Sequence, residues 1–260
     1  MLRFASLASG SKGNCLIVQA GGTSILLDCG LGPRKTARRL RELGIEPDGI
    51  DALLVTHEHD DHAGGVAAFA AAYDVPVWMT RGTHRALARS GADQTREAID
   101  IRYLDGRTAL GIGDLQVRPF TVPHDAAEPV QYVVSDGSLR LGVLTDIGVQ
   151  TPHVIEALSG CDGLVLECNH DLELLWASDY PRWLKERISG PLGHMDNGTA
   201  AALLDALDRT RLQHVIAAHL SEQNNRPEAA RTALADAMGC APEWIGLARQ
   251  ESGFDWRELR

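Results

Sequence analysis

A run of histidines and acids in the first quarter of the chain has the composition and spacing of a metal site. His57 and His59 are separated by one residue, and Asp61 and His62 follow closely. The run comes after the apolar segment 51–56, a predicted buried strand, so the histidines at i and i+2 of an extended exit point the same way. Imidazole and carboxylate groups together suit zinc, manganese or iron. A polar loop with incidental histidines is the alternative, but three imidazoles and a carboxylate within six residues favour metal binding.

Three further residues of ligand type end other apolar runs of the chain. These residues are His124, Asp146 and His219. One such residue by itself is more often a cap or a surface side chain. Together with the first group, however, they would assemble a site where the mouths of the strands meet. We predict one cation site from His57, His59 and His124, a second from Asp61, His62 and His219, and a bridging position for Asp146.

The segments around these residues alternate between strand-like and helix-like patterns along the whole chain. Apolar runs of strand length cover 2–7, 15–20, 23–28, 51–56, 75–80, 115–122, 130–135, 139–146, 162–167 and 214–219. Helical patterns cover 33–43, 63–73, 82–90, 180–188, 197–208 and 227–238. Two β-rich stretches with helices outside them predict an α/β fold, a four-layer αββα sandwich. Because there is no linker and no internal repeat, we expect residues 1–260 to form one domain.

The composition excludes several classes of protein. The 260 residues include 25 basic and 35 acidic side chains, a net charge of −10, which argues against holding nucleic acid by bulk positive charge but allows a local basic channel. No apolar run approaches the ~20 residues that span a bilayer, and the first residues lack a signal-peptide core, so we expect no membrane association. Five cysteines without a C-x-x-C pair argue against a disulfide framework and favour the reducing cytoplasm.

The order of the candidate ligands resembles the metallo-β-lactamase superfamily. The chain has Asp28, then the H-x-H-x-D-H run, then His124, Asp146 and His219, and the resemblance covers nearly its whole length. It implies the four-layer fold and a site for two divalent metal ions, zinc or manganese with iron as a further option. It says little about the substrate. It also implies that Asp28 is a buried residue that supports the histidine loop without binding metal.

A narrower resemblance is to the YycJ/WalJ group, bacterial proteins of this superfamily that are regarded as exonuclease-like hydrolases acting on DNA. The phrases that carry it are SLASGSKGN (6–14), VPHDA (122–126), LTDIG (144–148), ECNHD (167–171), YPRWLKERI (180–188), GHMDN (193–197) and AHLSEQNN (218–225). The group usually has Gly-His-Leu-Ser-Asn where this chain has Gly-His-Met-Asp-Asn. An acid, Asp196, therefore stands where a hydroxyl is usual, which leaves phosphate contact through this position open.

These observations predict a metal-dependent hydrolase that cleaves phosphodiester bonds, with DNA as the expected substrate of an exonuclease. Two cations would activate a water molecule for in-line attack, Asp61 would orient that water, and His194 would protonate the leaving group or hold the phosphate. The alternative is a small-molecule hydrolase on the same fold, such as a lactonase, a thioesterase or a cyclic phosphodiesterase. A redox iron protein would have Glu at the position of His59, and a non-catalytic scaffold would lack ligands that are present here.

Several other polar residues are candidates for contact with the substrate. Ser11 and Asn14 lie in a loop punctuated by glycines, which could offer backbone N–H groups to an anion or be only a turn. His170 follows a predicted strand and is expected to line the cleft. Asn197 is expected to contact the substrate and also to be the N-cap of the following helix.

Basic side chains cluster at 34–41 and at 182–187. Such runs are usually the solvated faces of helices. The functional alternative is a rail that binds the phosphates of a nucleic acid beside the cleft. Arginine outnumbers lysine in both clusters, which slightly favours bidentate phosphate contact.

Overall fold

Two seven-stranded sheets organise the chain, which a computed structural model describes over residues 1–90 and 99–260. The strands of the first sheet are β1 (Leu2–Ala8), β2 (Cys15–Ala20), β3 (Thr23–Leu27), β4 (Ala52–Leu54), β5 (Val77–Met79), β6 (Ile101–Tyr103) and β14 (Phe254–Leu259). Those of the second are β7 (Leu110–Ile112), β8 (Leu115–Thr121), β9 (Val130–Ser135), β10 (Arg140–Leu144), β11 (Gly163–Glu167), β12 (His214–Ala218) and β13 (Gly246–Leu247).

Both sheets combine an antiparallel half with a parallel half. The first has the order β14-β1-β2-β3-β4-β5-β6, and the pairs from β3 to β6 are parallel. The second has the order β13-β12-β11-β10-β9-β8-β7, and the pairs from β10 to β13 are parallel. Parallel neighbours end at the same edge of a sheet, so the residues that follow them are brought together.

Nine α-helices surround these sheets in the described ranges. They are α1 (Pro33–Glu42), α2 (Asp60–Ala63), α3 (Val66–Tyr73), α4 (Arg81–Ser90), α5 (Pro152–Leu158), α6 (Leu172–Ala177), α7 (Arg182–Ile188), α8 (Asn197–Ala206) and α9 (Pro227–Met238). Among residues 1–90 and 99–260, no helix has the length and apolar character required to cross a membrane.

The apolar core has three parts, and they separate four layers. Alternate strand residues point to opposite faces of a sheet. On β3, Ile25 and Leu27 therefore join the core between the two sheets, whereas Leu26 packs under α1 and α3. On β10, Val143 joins the inner core and Leu144 packs under α5, α8 and α9. The predicted four-layer αββα sandwich is confirmed.

Some details of the sequence-based prediction are wrong. The helical pattern 63–73 is two helices, α2 and α3, because the chain breaks at Gly64 and Gly65. A Cβ on Gly65 would lie 1.8 Å from the carbonyl oxygen of Leu31, so only glycine allows this close approach. The N-cap of α8 is Asp196 and not Asn197, since the Asp196 carboxylate accepts hydrogen bonds from the N–H groups of Gly198 and Thr199. The sequence reading also missed the short strands β6, β7 and β13, the last strand β14, and the helices α5 and α6.

Candidate metal centre

The histidine-rich loop enters the edge of the first sheet directly after β4. His57 and His62 are completely buried, and their ring centroids lie 4.2 Å apart. The side chains of His59 and Asp61 are 27% and 20% exposed, so they form the solvent side of the same cluster. The helix α2 begins at Asp60, and its first turn directs Asp61 and His62 to a second point beside the one that His57 and His59 face.

The first group of ligand-type atoms belongs to His57, His59 and His124, which all lie within 4.8 Å of one another. Each ring has a second nitrogen bound elsewhere. His57 Nδ1 lies 2.9 Å from Thr56 Oγ1, and His124 Nδ1 lies 3.0 Å from the carbonyl oxygen of Gly193. His59 Nε2 lies 3.3 Å from the carbonyl oxygen of Asp125. These contacts place the N–H of each ring outside the cluster and leave its lone pair facing inward.

A second group contains Asp61, His62 and His219, whose ligand-type atoms also lie within 4.8 Å of one another. Asp61 Oδ2 is 3.4 Å from His62 Nε2 and 3.2 Å from His219 Nε2. Asp146 lies between the two groups. Its carboxylate oxygens are 3.0 Å from His62 Nε2, 3.7 Å from His219 Nε2 and 3.9 Å from His124 Nε2. The arrangement is therefore two triads that share one central carboxylate.

Asp28 supports this cluster from below through three hydrogen bonds. Its carboxylate accepts from the backbone N–H of Thr56 at 2.8 Å, from Thr56 Oγ1 at 2.9 Å, and from His62 Nδ1 at 2.7 Å. Asp28 has a φ of 61° and His219 a φ of 54°, the left-handed region that residues other than glycine rarely adopt. Both residues follow parallel strands, and this conformation turns their side chains into the cluster.

The charges of the protein groups oppose one another across the cluster. Burial and the neighbouring His62 lower the pKa of His57 well below its usual range. Burial alone would also lower the pKa of His62 and His219, but Asp146 and Asp61 outweigh it, so the pKa of His62 is raised and that of His219 reaches about 10. Burial would raise the pKa of Asp146 and Asp61, but the facing histidines hold both well below the usual range.

The donor set fits divalent cations on two counts. Two buried ligand-type atoms, His57 Nε2 and Asp146 Oδ2, have no hydrogen-bond partner in the described part of the chain. Buried polar atoms without partners are costly, and both atoms face the shared centre of the triads. Neutral imidazole with carboxylate is a donor set that zinc, manganese and iron accept. These His/Asp clusters are thus suited to divalent metals.

The sequence reading missed one residue beside the cluster, Glu167 at the end of β11. Its side chain is fully buried, and Oε1 lies 2.7 Å from His194 Nδ1. The other oxygen, Oε2, accepts from the backbone N–H groups of Ile147 at 3.0 Å and Met195 at 3.2 Å. Glu167 therefore fixes the orientation of the half-exposed His194 ring. It ends a parallel strand as Asp146 and His219 do, so the same criterion could have identified it.

The structure places the four candidate substrate contacts differently. Asn14 lies at the cluster, since its Nδ2 is 3.2 Å from Asp61 Oδ2. Ser11 is exposed at the tip of its loop, and its side chain makes no hydrogen bond within residues 1–90 and 99–260. His170 is buried, with Nδ1 3.3 Å from Asn169 Oδ1. Asn197 and Asn225 exchange two hydrogen bonds of 2.9 Å, which occupy both ends of the Asn197 amide.

Comparison with known proteins adds a family to this geometry. A profile described as a β-lactamase superfamily domain matches residues 23–219. The chain is 34% identical to exodeoxyribonuclease YycJ of Bacillus anthracis over 91% of this chain and 89% of that protein. It is 30% identical to exodeoxyribonuclease WalJ of Streptococcus pneumoniae over 94% of this chain and 91% of that protein. The metallo-β-lactamase fold protein YhfI of Bacillus subtilis superposes with a TM-score of 0.74 at 15% identity, covering 99% and 100% of the two chains.

Proposed function

This chain belongs to the metallo-β-lactamase superfamily of metal-dependent hydrolases, and on that premise we propose that it cleaves phosphodiester bonds of DNA from an end of the strand. The observation that carries the proposal is the pair of triads around Asp146, because two cations side by side suit displacement at phosphorus. Two relatives named exodeoxyribonucleases, each at least 30% identical over about nine tenths of the chain, support DNA as the substrate.

We propose two divalent cations per chain, zinc or manganese, with iron as a further option. His57, His59 and His124 would hold one cation, Asp61, His62 and His219 the other, and Asp146 would contact both. When bound, the cations supply an activated water molecule and neutralise charge on the phosphate. Asp28 holds His62 in the tautomer that presents its Nε2 lone pair to this site.

The remaining roles fall to side chains around the triads. His194 is proposed as the group that protonates the leaving oxygen, since Glu167 fixes its Nδ1 and leaves Nε2 for the substrate. Asp61 is proposed to orient the attacking water, because its Oδ2 faces His62 and His219 across the second triad. Asn14, next to Asp61, is the best placed of the four candidate substrate contacts.

Two further proposals concern the whole chain. Residues 1–260 are proposed to form one hydrolase domain, since strands from both halves of the chain build the core between the sheets. A reducing compartment, the cytoplasm, is proposed because all five cysteines are free thiols and four of them are buried. The molecular partner in this proposal is the nucleic-acid substrate, and no membrane is involved.

A panel of substrates tests the reaction class. The purified protein, loaded in turn with zinc, manganese and iron, is assayed with bis-p-nitrophenyl phosphate, end-labelled DNA, end-labelled RNA, a lactone and a thioester. We expect hydrolysis of the phosphodiesters and shortening of DNA from one end, both abolished by Asp146→Ala. Faster cleavage of the lactone or the thioester than of any phosphodiester would show that the protein is a small-molecule hydrolase. Faster shortening of RNA than of DNA would reject the DNA assignment alone.

A further inference from the structure

Exposed apolar side chains concentrate on α6, α7 and the loop that follows them. In the described part of the chain eight large apolar side chains are exposed, and four of them lie between residues 172 and 192. The four are Leu172, Trp176, Trp183 and Leu192. Trp183 is 64% exposed and Trp176 45%. Tryptophan is rarely left in water to this extent, and clusters of such residues mark binding surfaces.

This surface borders the metal centre. Arg187 on α7 donates a hydrogen bond of 2.6 Å to the carboxylate of Asp125, and the carbonyl oxygen of Asp125 contacts His59. The Asp125 N–H is in turn bound by the carbonyl oxygen of Leu192. Trp183 lies four residues before Arg187, on the same helix face and about 6 Å along the axis. The exposed indole therefore stands beside the rim that holds the first triad.

The two tryptophans are carried on a rigid support. The ammonium group of Lys185, on α7, donates to the carbonyl oxygens of Trp176 at 2.8 Å and of Ser178 at 2.5 Å. These oxygens are at the carboxyl end of α6, where helix carbonyls lack partners within the helix. The Lys185 side chain is buried, so the contact joins α6 and α7. A fixed pair of aromatic faces loses little conformational entropy when a flat ligand binds.

The cationic side chains near the site are largely engaged with the protein itself. Arg182 pairs with Glu186, and Arg187 pairs with Asp125. On α1, Arg38 and Arg39 both pair with Glu42, and Arg41 pairs with Glu46. The basic clusters therefore leave few charges for phosphates, on a protein whose net charge is −10. A nucleic acid held here must gain affinity from contacts other than ion pairs.

We propose that Trp183 and Trp176 form a stacking platform for the unpaired bases of single-stranded DNA, which enters the metal centre past Asp125. This inference rests on the proposed function and adds the strand state of the substrate to it. Stacking on an indole tolerates every base and needs no positive surface. Whatever covers the platform also controls access to the triads, which favours the substrate itself as the occupant over a folded partner protein.

Single substitutions on the platform test the proposal in the metal-loaded enzyme. Trp183→Ala and Trp176→Ala are compared with Trp244→Ala, a matched control because Trp244 is also exposed (41%) and lies in the separate turn Pro242–Trp244. Each is assayed on a single-stranded oligonucleotide and on bis-p-nitrophenyl phosphate. We expect the ratio of the two kcat/KM values to fall roughly fivefold to a hundredfold in the platform variants, through KM, and to stay at the wild-type value in Trp244→Ala. Trp183→Phe keeps an aromatic face and should recover part of the ratio.

The outcomes separate this inference from the function on which it rests. If the wild type cleaves oligonucleotides and the platform variants keep the wild-type ratio, the platform is wrong and the nuclease function stands. If the wild type hydrolyses no phosphodiester, the proposed function is wrong. Anisotropy of a labelled single-stranded oligonucleotide then decides the platform alone, because Trp183→Ala should weaken binding by a similar factor. A wild-type dimer that Trp183→Ala dissociates would identify a second copy as the occupant and overturn the inference.

Discussion

Replacing Glu167 with glutamine would test how His194 is held for catalysis. The Glu167 carboxylate accepts from three donors, the backbone N–H groups of Ile147 and Met195 and the Nδ1–H of His194. A carboxylate accepts at both oxygens, but a glutamine amide has an NH₂ group at one end. Because the backbone donors cannot change, the amide oxygen must face them. The NH₂ group then faces His194 and forces its ring into the other tautomer, with the proton on Nε2.

The size of the effect follows from the bond that is lost. At 2.7 Å, the contact between Glu167 and His194 has the length of a charge-assisted hydrogen bond. Such bonds contribute about 1.5–3 kcal/mol, which corresponds to a loss of roughly 10- to 150-fold in kcat/KM if the protonated ring acts in the transition state. Shape and volume are nearly unchanged in Glu167→Gln, so the fold and the triads should persist.

Leaving groups of different basicity reveal whether His194 donates a proton. The variant and the wild type are assayed with the p-nitrophenyl and phenyl esters of thymidine 5′-phosphate, and metal content is measured by elemental analysis. The loss should be large for the phenyl ester and small for the p-nitrophenyl ester, because p-nitrophenolate leaves without a proton. Equal losses on both esters would refute proton donation. Loss of one cation in the variant would show instead that Glu167 and His194 bind metal.

Three further predictions concern the triads. Wild-type protein should bind two cations per chain by elemental analysis and Asp146→Ala fewer, because Asp146 faces both triads; a saturating value of one cation in both proteins would exclude the paired site. Asp28→Asn should weaken metal affinity roughly 10- to 100-fold in competition with a chromophoric chelator, since the amide cannot accept from both Thr56 and His62; unchanged affinity would show that Asp28 does not orient His62. The pKa of His219 is raised to about 10, so a proton on this ring stabilises the metal-free fold in full below pH ~6.5 and is lost as pH rises through 10. Metal uptake at pH 7 should then release protons and strengthen as pH rises; calorimetric heats that do not depend on the ionisation enthalpy of the buffer would contradict this.

The grouping of the ligand-type residues was predictable from the sequence because it depends on a simple property of parallel sheets. His57, Asp146 and His219 each follow an apolar run, and parallel strands end at a common edge. The four-layer fold was predictable for a related reason, since strand runs with apolar residues on both faces need cover on both sides. The short strands β6, β7 and β13 carry too few residues for any periodic signal.

Residues that act through their contacts were harder to predict. Glu167 and Asn225 have no distinctive spacing, and their roles depend on which backbone and side-chain groups lie opposite them in the fold. The basic cluster at 182–187 shows the same limit. Its charge pattern gives no sign that Lys185 is buried and caps α6, whereas Arg182 and Arg187 are exposed and pair with acids. Sequence shows which charges are present, but not which of them the fold has already neutralised.

The geometry of the triads depends on conformations that residue order does not reveal. In a regular strand exit, Asp28 and His219 would follow the pleat of the sheet, yet both adopt positive φ and turn toward Asp61 and Asp146. Such conformations cost free energy and persist only where the surroundings hold them. Here the hydrogen bonds of the cluster do so. Asp28 accepts three of them, and the N–H of His219 donates to Ser9 Oγ at 2.8 Å. The network that orients the ligand-type atoms is thus also what stabilises the strained backbone beneath them.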